Sequence, residues 1–409
     1  MVSLPKAFNR LWYASIASNL ADGLLWTAAP LLAVTLTHSP VLISVLSGTT
    51  MLPWLFFAIP IGAIIDRIDR RIAISTANAA RCAILAGITL LVETHHMNIV
   101  ALIIGAFAIG TCEVIVDTTA QTSIPKLLTV EQLEHGNSRL QISETVLQGF
   151  VGGPIGSLLF SLAFALPFAI SGAGYLLATV FLVLIPVSLH HGWKAEPRTA
   201  DALNQSLLHD VKIGVSYLFR HKVLRRIVLF SSGSALVFSA SNSTLILFLL
   251  NVLHMHKSSF GLLMAIAGTG SLAGAFAAPA LSVRLGRNRV MASGITIAGI
   301  CTFASGFVNN IPTFAALMIV EAFAITQWNV LLMSTYQELI PAHLYGRIHG
   351  GRRSIIWGLM PIGSVIGGVI ATVNLRAPWI IGGAGAIAIC LLNFRFLSGV
   401  REKIIESDS

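Results

Sequence analysis

The sequence predicts an all-α protein that crosses a membrane with twelve helices, arranged as two six-helix halves. Apolar residues make up 55% of the 409 residues and charged residues only 11%, against about 25% charged residues in soluble domains. The apolar residues also fall in long runs, and a helix needs about 20 apolar residues to cross a bilayer. Since a helix satisfies its own backbone hydrogen bonds in lipid, continuous runs of this length favour helices over a barrel.

The apolar runs place the helices in chain order. The first six are expected at Leu11–Leu36, Val41–Ile65, Ile72–Val92, Ile99–Ile124, Ser138–Phe164 and Leu166–Ser188. The other six are expected at Ile227–Leu250, Phe260–Val283, Val290–Phe307, Thr313–Tyr336, Ile348–Thr372 and Ala377–Leu397.

These helices define the expected domain organisation. A six-helix half spans residues 1–188, a cytoplasmic linker 189–223, a second six-helix half 224–398 and a cytoplasmic tail 399–409. Within the linker, apolar residues at helical spacing from Leu203 to Leu218 predict an amphipathic helix on the membrane surface.

Short matches relate the two halves. Pro154-Ile-Gly-Ser157 in the fifth predicted helix recurs as Pro361-Ile-Gly-Ser364 in the eleventh. Ile124-Pro125 closes the fourth helix, and Ile340-Pro341 closes the tenth. Matches in the same order along the chain are expected when two halves repeat one fold.

The distribution of charge fixes the expected orientation. Lys and Arg outnumber Asp and Glu by 26 to 17, which gives a formal net charge of +9. All basic residues except Lys257, Arg376 and Arg81 lie at or beside segments assigned to one face of the membrane. This pattern is typical of cytoplasmic loops rather than of a nucleic-acid surface, and it places both termini in the cytoplasm, with the protein in the cell (inner) membrane.

A charged loop, Gly62–Arg71, separates the second and third predicted helices. It resembles the pattern G-x-x-x-D-R-x-G-R-R of major facilitator superfamily transporters, with Asp69 in place of the second glycine. The resemblance implies the major facilitator fold, and it implies that Asp66 docks near residues 348–353 when the cytoplasmic side is closed. It also implies a role in conformational gating for Gly62, Asp66, Arg67, Arg70 and Arg71.

The fifth predicted helix contains Gly149-Phe-Val-Gly152-Gly153-Pro154-Ile-Gly156. It resembles the antiporter motif G-x-x-x-G-P-x-x-G of the same superfamily, except that the last glycine comes one residue early. The resemblance implies a gating role for Gly149, Gly153 and Pro154, and it favours export over import. The alternative is a glycine-rich membrane helix whose small residues only allow close packing.

Two further stretches resemble one exporter branch of that superfamily, the branch of enterobactin exporters and macrolide-efflux permeases. They are Gln132–Asn137, after the fourth helix, and Asp210–Arg225, in the linker. This resemblance implies a drug, macrolide or siderophore as the class of substrate.

A few polar residues lie deep in the apolar runs and are candidates for a substrate cavity. A charge at the bilayer centre costs about 2.5–3.5 kcal/mol, so such residues usually face a cavity or a partner. In the first helix Asn19, Asp22 and Trp26 share one face. The candidates on the fourth, seventh and tenth helices are Glu113, Asp117, Asn242, Glu321, Gln327 and Trp328. The family resemblance implies that these four helices line a central cavity.

Other roles for these residues stay open at this point. Some of the candidates can instead be interhelical hydrogen-bonding residues. Arg81, in the third helix, is expected to be a snorkelling or paired structural residue rather than a substrate ligand.

Asp22, Glu113 and Asp117 are the expected proton-coupling residues, because a carboxylate can take up and release a proton and an amide cannot. Together with the family resemblance, these residues predict a secondary active efflux transporter, a proton antiporter that exports a hydrophobic or amphipathic molecule by alternating access. Its expected partners are a small-molecule substrate, protons and the lipid bilayer. It is expected to be monomeric, without nucleic acid, cofactor or metal.

Two other functions stay open. A proton-coupled importer of a small metabolite would share the fold, and a non-transporting binding or signalling protein would leave the deep carboxylates without a purpose. An enzyme is not expected, because the sequence has no HExxH, GxSxG or Cys/His grouping. It also has no phosphate-binding loop, which argues against an ATP-driven pump.

Overall fold

The computed structural model describes residues 4–65, 68–184, 216–340, 352 and 354–398. In these residues the chain is helical apart from short turns, and the described part contains no strand. Three predictions fall outside them. They concern Asp66 and Arg67 of the charged loop, with the docking of Asp66 near residues 348–353, the amphipathic helix of the linker up to residue 215, and the tail at 399–409.

The first six predicted spans are helical over most of their described residues. They form α1 (Lys6–Leu36), α2 (Pro40–Thr49), α3 (Leu52–Ile65), α4 (Arg70–Glu93), α5 (Ile99–Leu127), α6 (Val130–Ser143), α7 (Gly153–Leu162) and α8 (Leu166–Val183). A π-helical segment, Glu144–Gly152, joins α6 to α7. The second span is therefore interrupted at residues 50–51, and the fifth span changes its hydrogen-bonding pattern midway.

The second half forms α9 (Lys222–Asn242), α10 (Phe260–Leu285), α11 (Arg287–Ser305), α12 (Ile311–Leu339), α13 (Met360–Ala371) and α14 (Ala377–Ser398). A second π-helical segment, Phe248–Val252, extends the seventh predicted span, and a single 3₁₀ turn at Lys257–Ser259 precedes α10.

Eleven helical stretches of the described chain are long and apolar enough to cross a membrane, judged by length and composition. Some of them run across the bounds of two elements, as Pro40–Phe57 and His135–Leu162 do. The helix α11 stands where the ninth span was predicted, and it is not one of the eleven. Its first turn carries Arg287, Asn288 and Arg289, which lower its mean hydropathy. The predicted class, an all-α polytopic membrane protein, is confirmed.

The chain divides into two compact units. Unit 1 comprises Met1–Thr37, Leu52–Leu207 and His256–Ala265. Unit 2 comprises His38–Met51, Leu208–Met255 and Ile266–Ser409. His38–Met51 and His256–Ala265 therefore belong to a different unit from the residues before and after them in the chain. The reason is packing, since α2 packs along α13 and the 3₁₀ turn before α10 packs against α7.

Side-chain caps explain where several helices begin. Asp69 caps α4, and its Oδ1 accepts hydrogen bonds from the backbone N–H groups of Arg71 at 2.8 Å and Ile72 at 3.4 Å. The residue that departs from the loop pattern therefore stabilises the start of the third span. Asn98 and Asn310 cap α5 and α12 in the same way, each at 2.9 Å, so the fourth and tenth spans start alike.

The sequence repeat is matched by a repeated contact inside each unit. In unit 1, a Cβ atom at Gly156 would lie 2.6 Å from the carbonyl oxygen of Leu24 in α1. In unit 2, a Cβ atom at Gly363 would overlap the carbonyl oxygen of Leu236 in α9. The third residue of each Pro-Ile-Gly-Ser stretch is therefore one of the points where that span meets the first helix of its half.

The glycines of the fifth span differ in how much space surrounds them, and this gives a test. A Cβ atom at Gly152 would lie 2.6 Å from Gly23 Cα, whereas one at Gly149 would meet nothing within 4 Å. We expect Gly152→Ala to destabilise the protein by about 1–3 kcal/mol through overpacking. Gly149→Ala is the matched control and should melt like the wild type. Thermal unfolding in detergent measures both, and equal melting of the two variants would contradict this packing.

Candidate functional site

The polar side chains of unit 1 form a cluster around Arg81, which α4 carries. Its Nη1 lies 3.6 Å from Asp22 Oδ1 of α1, and its Nη2 lies 3.9 Å from Glu113 Oε2 of α5. The hydroxyl of Tyr175, on α8, donates a hydrogen bond to Asp22 Oδ1 at 2.5 Å. We call Asp22, Arg81, Glu113 and Tyr175 the Arg81 cluster.

Burial explains why these residues gather. The side chain of Arg81 is 1% exposed, and a buried charge is costly unless it is paired. Its guanidinium carbon lies 4.9 Å from the centre of the Tyr175 ring, within cation–π range. The helices that supply these groups pack directly on one another, α1 and α4 on α8 and α4 on α5. Arg81 is thus a buried, paired residue. This is one of the two roles expected from the sequence, the other being a snorkelling residue.

Arg81 does not form a close ion pair with either carboxylate alone. Both ion-pair distances exceed the 2.7–2.9 Å that is usual for a charge-assisted hydrogen bond. The Nε and Nη2 atoms of Arg81 donate no hydrogen bond to any residue of the described chain. With both carboxylates ionised the cluster carries one net negative charge, and one bound proton makes it neutral. The Asp22 side chain is 16% exposed and that of Glu113 37%, so Glu113 is the more accessible of the two.

A small cavity of about 60 Å³ lies beside the cluster in unit 1. Asn19 and Asp117 line it together with Ser18 and Asn78. Ser18 also donates to Asp22 Oδ2 at 3.5 Å, so it connects the cavity to the cluster. The volume is sufficient for water, since one water needs about 10–15 Å³ of this kind of space.

A larger cavity of about 450 Å³ lies in unit 2. Its walls come from α9, α11, α12 and residues 352, 356, 357 and 360. Trp328 lines it and packs against Phe230 with a ring-centre distance of 5.1 Å. The polar and charged residues of its lining are Ser231, Ser234, Asn329 and Arg352.

The structure brings some of the predicted site residues together and separates others. Asp22 and Glu113 meet at Arg81, and Asn19 and Asp117 share the small cavity. Trp26 was expected on the same face as Asn19 and Asp22, but it is 65% exposed and lies outside both groups.

In unit 2 the predicted residues divide in the same way. Trp328 lines the large cavity, whereas Glu321, Gln327 and Asn242 do not. Glu321 is buried and accepts a hydrogen bond from Thr302 Oγ1 of α11 at 3.0 Å. Asn242 is exposed and donates to the carbonyl oxygen of Phe238 in its own helix. This geometry favours the interhelical alternative for Glu321.

Sequence reasoning missed several residues of these sites. Tyr175 is the one tyrosine in the sixth apolar run, which was a signal, but nothing in the sequence connects it to Asp22. Arg352, Ser234 and Trp357 were not singled out as candidates, and they line the large cavity. Gly261 was missed as well, and a Cβ atom there would overlap the backbone of Gly153.

Comparison with known families decides the class of protein. The sequence profile of the Major Facilitator Superfamily matches residues 11–362. The chain belongs to the Major Facilitator Superfamily. It is therefore a membrane-embedded transporter of small molecules rather than an enzyme, and the resemblance of the Gly62–Arg71 loop is confirmed at the level of the superfamily.

Solved structures with the same fold cover nearly the whole chain. A mutant of the nucleoside transporter NupG superposes with a TM-score of 0.78 at 15% identity, covering 95% of this chain and 99% of that one. A bacterial homologue of the iron transporter ferroportin, in the inward-facing state, superposes with a TM-score of 0.74 at 13% identity, covering 97% of this chain and 100% of that one. A bacterial homologue of the lysosomal transporter Spinster gives 0.70 at 14% identity, covering 100% and 99%. These likenesses show the fold alone. No curated protein gives a significant match.

Proposed function

We propose that this transporter is a proton antiporter that exports hydrophobic or amphipathic small molecules, of the drug, macrolide or siderophore class, by alternating access. The observation that carries the proposal is the Arg81 cluster, in which two carboxylates share one buried arginine within membrane-spanning helices. A charge in the bilayer is costly, so ionisable residues there usually serve ion or proton movement.

The cluster supplies a proton step. A proton on Asp22 or Glu113 removes one negative charge and weakens that carboxylate's attraction to Arg81. The arginine then pairs with the remaining carboxylate. Because Asp22, Arg81 and Glu113 belong to α1, α4 and α5, a change of pairing alters the interaction of these three helices.

The fifth span supports antiport over import. Its π-helical segment, Glu144–Gly152, touches α1 at Gly23, the residue next to Asp22. Thr27 Oγ1 of α1 also donates to the carbonyl oxygen of Gly153 at 3.1 Å. The stretch that resembles the antiporter motif therefore packs on the turn of α1 that carries the proposed proton-binding carboxylate. π-Helical segments inside helices are frequent at functional sites.

Transport in proteoliposomes tests the proposal. The purified protein is reconstituted, a pH gradient is imposed, and a panel of dyes, macrolides and catechol siderophores is offered. An antiporter accumulates its substrate when the lumen is acidic, whereas a proton-coupled importer accumulates it when the outside is acidic. Protein-free liposomes control for weak bases that collect in an acidic lumen. Accumulation only with an acidic exterior would overturn export.

The proposed orientation, with both termini in the cytoplasm of the cell, has its own test. A single cysteine at Lys257 or Arg376 should react with an impermeant maleimide added outside. A cysteine at Arg70, Arg198 or Arg352 should not react with the reagent added outside. The experiment starts from a variant that lacks the native Cys82, Cys112, Cys301 and Cys390. External labelling at position 70 or 198 would reverse the orientation.

A further inference from the structure

We propose that the large cavity of unit 2 binds the acidic group of an amphipathic organic anion and that Arg352 is the cation that holds it. The inference rests on the proposed transport function and narrows its substrate class by charge. It comes from the lining of the cavity, which the sequence alone did not reveal.

The cavity has the size and the walls of a small-molecule site. Its volume of about 450 Å³ falls within the range of about 300–1,000 Å³ that is usual for ligand pockets. Phe238, Trp328 and Trp357 give it aromatic walls. The contact of Trp328 with Phe230 fixes one of these walls. Such a surface suits the apolar rings of an amphipathic ligand.

Arg352 gives the cavity its charge. Among the described residues of the lining it is the one charged side chain. Its guanidinium carbon lies 4.1 Å from the ring centre of Tyr336, which is fully buried. Stacking on a ring orients the plane of a guanidinium, and its in-plane donors match a carboxylate or a sulfonate. Glu321, the buried acid of α12, bonds to Thr302 and is not part of the lining.

Ser234 supplies a second polar group. It is 5% exposed and lines the same cavity, and its Oγ has no hydrogen-bond partner in the described part of the chain. A buried hydroxyl without a partner is unfavourable, so an oxygen of a bound anion would satisfy it. A guanidinium and a hydroxyl in one aromatic cavity are the groups expected for an acidic head on an apolar body.

Two probes that differ in one group test the inference. Anilinonaphthalene sulfonate and N-phenylnaphthylamine share a ring system, and only the first carries a negative charge. Binding to the full chain in lipid nanodiscs is followed by tryptophan-sensitised probe fluorescence, since Trp328 and Trp357 lie at the cavity. We expect Arg352→Gln to weaken binding of the sulfonate about tenfold or more, the loss of one charge-assisted hydrogen bond. Binding of the neutral probe should stay within about twofold, since it makes no such bond.

Matched variants separate recognition from misfolding. Arg284→Gln removes the same charge from an exposed position outside the cavity, and it should bind both probes as the wild type does. Arg352→Lys keeps the charge and should retain more affinity for the sulfonate than Arg352→Gln does. Ser234→Ala should weaken the binding of the sulfonate by about threefold, as expected for the loss of a neutral hydrogen bond.

Three results would overturn the inference: an unchanged affinity of Arg352→Gln for the sulfonate, an equal loss for both probes, or no binding of the sulfonate to the wild type. The binding measurement needs no pH gradient. Antiport is measured separately, as substrate accumulation that a pH gradient drives. Failure of the anion site and failure of the proposed antiport are thus seen in different experiments.

Discussion

Asp22→Asn is expected to abolish pH-driven substrate accumulation while it leaves some energy-independent exchange. The amide keeps the size of the side chain and can still accept the hydrogen bond from Tyr175. It cannot bind and release a proton, and it does not pair as an anion with Arg81. Accumulation and counterflow in proteoliposomes measure the two activities, and membrane expression is measured alongside them.

Glu321→Gln is the matched control, because it makes the same chemical change in unit 2. Glu321 bonds to Thr302 between α11 and α12, so an amide should preserve the contact and pH-driven transport. A double change of Glu113→Gln and Asp117→Asn should behave like Asp22→Asn, and either single change should be milder. Full pH-driven transport by the Asp22→Asn protein would remove Asp22 from the coupling mechanism.

Arg81→Met is expected to reduce folded protein strongly. The methionine fills part of the volume, but Asp22, which is 16% exposed, loses the cation that it pairs with in a largely buried place. Removing one partner of a buried ion pair costs about 3–5 kcal/mol, because it leaves an uncompensated charge. The fraction of monodisperse protein after heating in detergent measures this loss.

A second change should restore part of the stability. In the Arg81→Met, Asp22→Asn double variant the more buried of the two carboxylates is gone, so the double variant should melt above Arg81→Met alone. Transport should stay absent in both. If the single variant melts like the wild type, or if the second change gives no recovery, the cluster does not hold the helices of unit 1 together.

The fold could be predicted from the sequence because hydropathy and length dominate it. The runs that became α1, α4 and α5 have ends within a few residues of the predicted spans. The interruption at residues 50–51 and the π-helical segment Glu144–Gly152 were not predicted. The π-helical segment depends on the neighbours of the helix rather than on its own apolar pattern. Gly152, for example, meets Gly23 of another span.

The candidate site was predictable only in part. The cost of placing a charge in lipid singles out Asp22, Glu113 and Arg81 one by one. Their pairing depends on which helices touch, and the spacing along one helix does not contain that information. For the same reason the spacing along α1 does not determine the exposure of Trp26, which depends on what packs around the helix.

Proton release on substrate binding tests the central claim most directly. The compound that the wild type transports best is added to purified protein in weakly buffered detergent solution, and a pH indicator follows the released protons. We expect release from the wild type and from Glu321→Gln, and none from Asp22→Asn that still binds the compound. Equal release from Asp22→Asn and wild type, or no release from a wild type that binds its substrate, would contradict proton coupling through the Arg81 cluster.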